Sequence, residues 1–305
     1  MNVFEFHNVT RRFRSKLALK EFSLIGERGE VIALLGENGA GKTTALRILL
    51  GFERATSGQA TVFGLRSEQR STEIRRRVGY VSDEPAVYDY MSVAEIGWYC
   101  AGFYEPGFVE RYQAKMKQFD VPLDQRIKHL SRGQKAKVSL ALSMAHEPEL
   151  LVLDEPTSGL DPVVRRQFLE SMVDVAARGN TVLLASHQVN EVERVADRVA
   201  IIKHGKLDVL ETVSDLKDDV SEVRVTWANG SQKPSMLKAL NLLSRRDGQR
   251  QSHLFVRGFD DSMANLLQDA PEVTSIDVHR PTLEDIYVAC MSDAPVAAKE
   301  SGEQS

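Results

Sequence analysis

The sequence predicts an α/β protein, a layer sandwich built on a parallel sheet. Short apolar runs at residues 31–35, 150–153 and 181–186 are typical of buried parallel strands. A helical pattern, "PVVRRQFLESMVDVAA", lies between the second and third runs. A glycine-rich turn follows the first run and precedes leucines at helical spacing. Strands that alternate with helices in this way indicate an α/β fold class.

Size and composition exclude several classes of protein. A chain of 305 residues is long enough for one large and one smaller domain, and 42% apolar with 27% charged residues is typical of a globular protein. A net charge of -4 gives no general attraction for nucleic acid or anionic lipid. No apolar run approaches the roughly 20 residues that span a bilayer. Cys100 and Cys290 fit no metal or redox spacing, which favours a reducing, cytoplasmic location.

The pattern divides the chain into regions. We predict a large domain at 1–212, with a helical insertion at about 87–145 where the composition turns helical and aromatic. Weaker alternating strands, "EVRVTW" and "HLFVRGF", precede the amphipathic stretch "PTLEDIYVACM" and predict a small accessory α+β domain at 215–290. The small, polar segment 291–305 is expected to be a disordered tail.

The segment "GENGAGKT", Gly36 to Thr43, fits the pattern G-x-x-x-x-G-K-[ST] between a predicted strand and a predicted helix. Glycines let the backbone curl around a phosphate, and the helix N-terminus adds a positive dipole end. Lys42 should reach the β- and γ-phosphates, and the Thr43 hydroxyl should hold Mg²⁺. An ordinary glycine turn with a surface lysine is the alternative. The predicted phosphate contacts, which we call the glycine loop, are Gly36, Glu37, Asn38, Gly39, Ala40, Gly41, Lys42, Thr43 and Thr44.

Two carboxylates end the second apolar run in "LLVLDEP". Because the carboxyl ends of parallel strands share one edge of a sheet, these acids should lie where the glycine loop opens. Asp154 is suited to Mg²⁺, and Glu155 remains free to act on a water as general base. Capping of the next helix turn is the structural alternative.

Together these motifs resemble the ATP-binding cassette (ABC) ATPases, the nucleotide-binding subunits of ABC transporters, over about residues 3–210. "LSRGQ", Leu130 to Gln134, resembles the family signature, and "SGLD", Ser158 to Asp161, resembles the loop that joins two sites. His187 in "LLASH" matches the switch histidine, and Phe13 sits where the family places a base-stacking aromatic residue. The resemblance implies a P-loop NTPase of ABC type with a mixed or parallel sheet core and a helical subdomain, here followed by the small C-terminal α+β domain.

The resemblance also implies how the site is completed. In this family two subunits pack head to tail, and the signature helix of one points its N-terminus at the γ-phosphate bound by the other. Ser131 and the Gly133 N–H would bind nucleotide in trans, where the helix dipole favours an anion. Gln134 and Asp161 join this nucleotide-binding set. His187 would contact the γ-phosphate and the attacking water, so it joins Glu155 as a catalytic residue.

Two positions depart from the family pattern. Arg132 stands where glycine is usual, and it either adds positive charge near the phosphate or points to solvent. Asp83 stands where the family has a glutamine that contacts Mg²⁺, and it either serves the metal, directly or through water, or caps the following turn. Phe13 and His187 have packing or capping as their structural alternatives.

The resemblance therefore implies an ATPase that uses ATP and Mg²⁺ to power a bacterial membrane transporter. The partners would be an integral-membrane permease on a separate chain and a second ABC subunit, with no nucleic acid. The protein would lie on the inner face of the cell membrane and contact it through the permease. "PTLEDIY" resembles a tail of two-component exporters, which favours export.

Two other functions remain open. The soluble ABC ATPases that act on ribosomes resemble two cassettes in one chain, and those that act on DNA resemble a cassette split by a long coiled coil. Neither hallmark is present in this sequence. A regulatory subunit of a heterodimer would be expected to have lost Lys42, Asp154, Glu155 or His187, and all are intact.

Overall fold

The computed structural model describes residues 1–83, 87–228, 237 and 240–292. The chain divides into two compact units, Met1–Leu210 and Glu211–Ser305. The predicted tail lies outside the described residues from position 293 onward.

The first unit is built on a six-stranded sheet with the order β10-β9-β3-β8-β7-β6. Strands β3, β7 and β8 are buried along their whole length, as expected for continuous apolar runs covered on both faces. The pairs from β9 through β6 are parallel. The six strands are β3 (Val31–Leu35), β6 (Val78–Val81), β7 (Leu150–Asp154), β8 (Thr181–Ser186), β9 (Arg198–Lys203) and β10 (Lys206–Thr212).

A second sheet of the first unit has four strands in the order β2-β1-β4-β5. Its inward side chains join those of the six-stranded sheet in one apolar core, where Phe6 meets Phe22 edge to face at 5.1 Å between ring centroids. The strands are β1 (Asn2–Phe13), β2 (Lys16–Glu27), β4 (Ser57–Val62) and β5 (Leu65–Arg66).

Three helices of the first unit begin at residues whose side chains cap them. Ser92 and Ser131 each form a capping box, and Asp161 caps a helix whose first residue is Pro162. The α-helices are α1 (Lys42–Leu49), α2 (Ser71–Arg77), α3 (Val93–Ala101), α4 (Phe108–Gln118), α5 (Arg132–Met144), α6 (Pro162–Ala177) and α7 (Val189–Val195), with a 3₁₀ turn at Ile127–His129.

The second unit carries a four-stranded antiparallel sheet in the order β12-β13-β11-β14, with helices around it. Trp227 lies in its apolar core and donates its indole N–H to the Ser252 hydroxyl at 2.9 Å. The elements are α8 (Val213–Asp219), β11 (Val220–Trp227), β12 (Asn241–Asp247), β13 (Gln251–Arg257), α9 (Asp261–Gln268), β14 (Val273–His279) and α10 (Leu283–Met291).

This architecture confirms the predicted fold class. The predicted strand at 31–35 and the predicted helix at 162–177 have the bounds of β3 and α6, because an unbroken apolar run and a proline at the first helical position mark them clearly. Within the described part of the chain, every helix is too short or too polar to cross a membrane.

Candidate active site

Three loops meet at one edge of the six-stranded sheet. Strand β8 lies between β3 and β7, and all three run parallel. Their carboxyl ends therefore place the glycine loop, His187, and the pair Asp154 and Glu155 side by side.

The glycine loop holds its lysine inward. The Lys42 side chain is 6% exposed, and its Nζ donates to the Gly36 carbonyl at 2.6 Å and to the Glu37 carbonyl at 3.3 Å. Gly41 precedes α1 with φ +114, and a Cβ there would lie 2.5 Å from the Ala18 carbonyl oxygen. Only glycine satisfies both constraints, so the sharp turn that delivers Lys42 requires it.

Asp154 lies beneath the loop. It is 2% exposed and accepts a hydrogen bond from the Thr43 hydroxyl at 3.1 Å. Burial raises the pKa of Asp154, an effect that Glu155 and Asp83 reinforce and that the Thr43 hydrogen bond and Lys42 oppose. A cation at this point would relieve the cost of the buried negative charge.

Glu155 links the lysine to the histidine. Its Oε1 lies 3.1 Å from the Lys42 Nζ, and its Oε2 lies 2.7 Å from the His187 Nδ1. An ionised carboxylate only accepts, so this hydrogen bond requires the proton on Nδ1. The Glu155 backbone is left-handed, with φ +49, while its N–H donates to Ala185 of β8 at 2.9 Å. The chain therefore turns sharply after β7 and aims Glu155 back at the glycine loop.

A cavity of about 320 Å³ opens above these groups. Phe13 and Asp83 lie in its wall, the Phe13 ring 39% exposed. The Arg11 guanidinium lies over the Phe13 ring, 4.2 Å from its centroid, and is itself held by Glu53 at 2.9 Å. One face of the ring is thus supported by a cation. The lining residues are Phe13, Lys16, Ala18, Glu37, Asn38, Gly39, Gly41, Lys42, Thr43, Thr44, Asp83 and Glu155.

The signature segment, Leu130 to Gln134, does not line this cavity. Ser131 caps α5: its hydroxyl accepts from the Gln134 N–H at 3.2 Å, while the Gln134 side chain accepts from the Ser131 N–H at 2.9 Å. Asp161 caps α6 by accepting from Val163 and Val164, both at 3.0 Å. Ser131, Gly133, Gln134 and Asp161 are therefore not part of the cavity that Phe13, the glycine loop, Asp83 and Glu155 line.

The donor groups fit a nucleotide with a divalent cation. An inward lysine and a helix start suit a triphosphate, and an exposed ring suits a base. The Thr43 hydroxyl and the carboxylates of Asp154 and Asp83 are hard oxygen donors of the kind that Mg²⁺ prefers. The described residues contain no group of three or more His, Cys, Asp and Glu side chains able to hold a metal alone.

Sequence reasoning missed several residues beside the site. Lys16 lines the cavity, and Arg11 supports Phe13. Glu191 is 6% exposed, accepts from the Thr157 hydroxyl at 2.5 Å, and pairs with the Arg165 Nε at 2.9 Å. A glutamate in an amphipathic helix gives no sign of burial in the sequence, since its partners lie on other elements.

Comparison with known proteins assigns the chain to a family. Residues 19–158 match the ABC transporter family. The chain is 32% identical to a daunorubicin resistance ATP-binding protein of Streptomyces coeruleorubidus, over 91% of each chain. The chain belongs to the family of ABC transporter ATP-binding proteins.

Other similarities agree with this assignment. The ABC protein is 35% identical to the Nod factor export ATP-binding protein I of Burkholderia lata, covering 66% of this chain and 68% of that one. It superposes with a TM-score of 0.66 on a solved ATP-binding subunit of an ABC transporter at 27% identity, covering 71% of this chain and 92% of that one. Membership of this family implies ATP binding and hydrolysis.

Proposed function

We propose that this ABC protein hydrolyses ATP to power a membrane transporter, as one of two nucleotide-binding subunits that act on a permease encoded by a separate chain. The observation that carries the proposal is the network Lys42–Glu155–His187, which joins the three strand ends at the mouth of the cavity. A phosphate-binding lysine, a general base and its orienting histidine are the parts that phosphoryl transfer to water requires.

ATP would enter with its base on the open face of Phe13 and its phosphates in the glycine loop. Lys42 would leave the Gly36 carbonyl and Glu155 and bind the β- and γ-phosphates. The charged phosphate oxygens are the stronger acceptors. Thr43, Asp154 and Asp83 would hold Mg²⁺, which when bound offsets charge that develops on the phosphate oxygens.

Release of Lys42 would leave Glu155 free to accept a proton. A water then attacks the γ-phosphorus, its proton passes to Glu155, and the bond from the γ-phosphorus to the bridging oxygen breaks to give ADP and phosphate. His187 would keep the Glu155 carboxylate oriented through the contact at 2.7 Å and reach the γ-phosphate.

A second subunit would complete each site. The first N–H groups of α5 have no partner inside the helix, so the Gly133 N–H and the Ser131 hydroxyl would meet the γ-phosphate held by the other subunit. Gln134 and Asp161 belong to the same proposed surface. Nucleotide bound between two subunits favours the closed pair through its higher affinity for that state, and this difference supplies the work.

Export is the proposed direction of transport. The relatives bear names that refer to daunorubicin resistance and Nod factor export. We place the protein at the inner face of the cell membrane through its permease, with 1–212 as the ATPase domain, 87–145 as its helical part and 215–290 as an accessory domain.

The deciding experiment isolates the assembly. Tagged Glu155→Gln protein, with Glu149→Gln as a matched control, is expressed in the native host and purified with ATP from detergent-solubilised membranes. Mass spectrometry should find a polytopic membrane chain in stoichiometric amount with the Glu155→Gln protein. Recovery of that protein only in the soluble fraction, alone or with ribosomes or DNA, would contradict the proposal.

A further inference from the structure

Arg132 is exposed to solvent, as one of the two sequence interpretations expects, and its guanidinium also contacts another segment of the same chain. Its guanidinium lies against Gly159, in the loop Ser158–Asp161 that we call the joining loop. A Cβ built on Gly159 would lie 2.5 Å from the Arg132 Nη1 and 2.7 Å from its Cζ. The side chain is exposed to solvent, and its guanidinium end lies in the space that a Cβ on Gly159 would need.

The joining loop has a backbone that suits this contact. Gly159 has φ +68, a left-handed conformation that glycine adopts at little cost. A side chain there would be strained, and the Arg132 guanidinium would have to move aside to admit it. The glycine thus serves two purposes, the turn and the close approach of Arg132.

A second contact joins the same two segments. A Cβ on Gly133 would lie 3.3 Å from the Val164 Cγ2 and 3.7 Å from the Asp161 Oδ2, so the first turn of α5 packs on the first turn of α6. Arg132 and Gly133 together connect the signature segment to both ends of the joining loop. Both segments belong to one chain, and packing rather than electrostatic attraction holds them together.

The contact of Arg132 with the joining loop is one of packing. Among residues 1–83, 87–228, 237 and 240–292, the structure contains no ion pair or hydrogen bond to its guanidinium, and the Asp161 Oδ1 is occupied by two backbone N–H groups of α6. A flat guanidinium can lie on a glycine backbone where a lysine ammonium, a compact and strongly hydrated charge, cannot. We expect the flat shape of the guanidinium to be the property that this contact uses.

We propose that Arg132 is a positioning residue that ties the signature segment to the joining loop within one subunit. Since the proposed function places both segments at the partner subunit, this inference rests on it. When Ser131 and Gly133 engage the partner's nucleotide, the joining loop moves with them. The loop leads from Asp154 and Glu155 into α6, so each subunit couples the nucleotide it meets in trans to its own catalytic carboxylates.

The test uses the membrane assembly purified from the native host. ATP hydrolysis is measured against ATP concentration for the wild type, Arg132→Ala, Arg132→Lys and the matched control Arg166→Ala, an exposed arginine of α6. Wild type and Arg166→Ala should show a Hill coefficient near 2. Both Arg132 variants should give a coefficient near 1 and a kcat reduced about five-fold, with unchanged ATP affinity of the isolated full chain.

The outcomes separate the two levels of the proposal. Wild-type cooperativity in Arg132→Ala would overturn the positioning role while leaving the transporter function intact. Full activity of Arg132→Lys beside an impaired Arg132→Ala would show that charge, not the flat contact with Gly159, is what matters, and would also overturn it. Failure of the wild-type assembly to hydrolyse ATP would instead contradict the proposed function.

Discussion

Helices α1 and α5 both begin at segments suited to phosphate, and their N-termini are organised differently. At α1, Gly41 offers no side-chain cap, and Lys42 is drawn inward by the Gly36 carbonyl and Glu155. At α5, Ser131 and Gln134 cap each other at the protein surface and share no group with that network. The start of α1 belongs to a charged network that links three strand ends, whereas the start of α5 is capped by its own residues.

The difference separates two roles. Groups that contact one another within the single chain can bind a ligand without a second subunit, and their loss should reduce affinity or turnover directly. Groups that are capped locally and face outward should matter only when something docks on them. Each prediction below tests this separation of α1 from α5.

Glu155→Gln should have the largest effect, since it removes the proton acceptor of the α1 network. We expect turnover to fall about a thousandfold, the scale of general base catalysis, while ATP affinity is kept. Phosphate release and calorimetric titration with ATP measure the two quantities. Glu149→Gln, a surface acid paired with Arg77 just before β7, serves as the control and should keep wild-type turnover. Equal turnover in both variants would refute the assignment of Glu155.

Lys42→Ala should weaken ATP binding about a hundredfold, because two charge-assisted hydrogen bonds to phosphate are lost. Lys16→Ala removes a lysine from the exposed wall of the same cavity and should cost only a few-fold. Titration of both full-length variants with ATP measures the ratio. Similar losses in the two variants would mean that the inward position of Lys42 has no special value.

Acid should destabilise the region that follows α5. Burial lowers the pKa of His146, which stacks on Tyr104, to about 4 from the ordinary 6.5. The unfolded chain then binds the proton at higher pH than the folded one, so stability is lost as pH falls from 6.5 toward 4. We expect the free energy of unfolding to fall by about 2 kcal/mol.

Urea unfolding at pH 7 and pH 4.5, with hydrogen exchange by segment, measures this loss. Amides of α5 should have lower protection factors at pH 4.5, once the slower intrinsic exchange in acid is accounted for, and His146→Asn should remove most of the difference in unfolding free energy. An identical pH dependence in His146→Asn would assign the loss to other groups.

Ser131→Ala should lower ATP hydrolysis of the membrane assembly about tenfold, the value of one charge-assisted hydrogen bond, without changing ATP affinity of the isolated chain. Thr282→Ala is its matched control, since Thr282 forms the same capping box at α10. Both variants should lose about 1 kcal/mol of stability. A similar loss of activity in both would reduce Ser131 to a helix cap.

Arg11→Leu should have the smallest effect, about threefold in ATP affinity, because it removes a cation from the back of the Phe13 ring. Tripolyphosphate has no base, and its affinity should stay the same. Arg75→Leu, which frees the Phe52 ring away from the cavity, provides the comparison. A matching loss for tripolyphosphate would mean that Arg11 acts through its charge on the phosphates.

The sequence predicted most of the fold and the residues of the cavity, for identifiable reasons. Apolar runs such as residues 150–153 have one favourable environment, and the glycine pattern fixes a loop between a strand and a helix. The order β3-β8-β7 was not predicted, yet any parallel arrangement of these strands brings Asp154 and His187 to the same edge.

Other features depend on contacts between distant positions. The direction of Arg132 depends on a gap at Gly159, and the support of Phe13 depends on Glu53 holding Arg11. The left-handed backbone of Glu155 has no marker in the sequence, because the residue is not glycine or asparagine. Such features follow from packing after the strands have assembled.

The pairing of Lys42 within the glycine loop bears on how the protein deals with its own products. Lys42 is already matched by two carbonyls and by Glu155, so the glycine loop offers little net attraction to a lone anion. Inorganic phosphate gains only its contacts with the glycine loop, whereas a triphosphate with a stacked base replaces the same partners of Lys42 and gains further contacts. We therefore expect phosphate to inhibit ATP hydrolysis only weakly. The subunit can then bind ATP again as soon as its products leave.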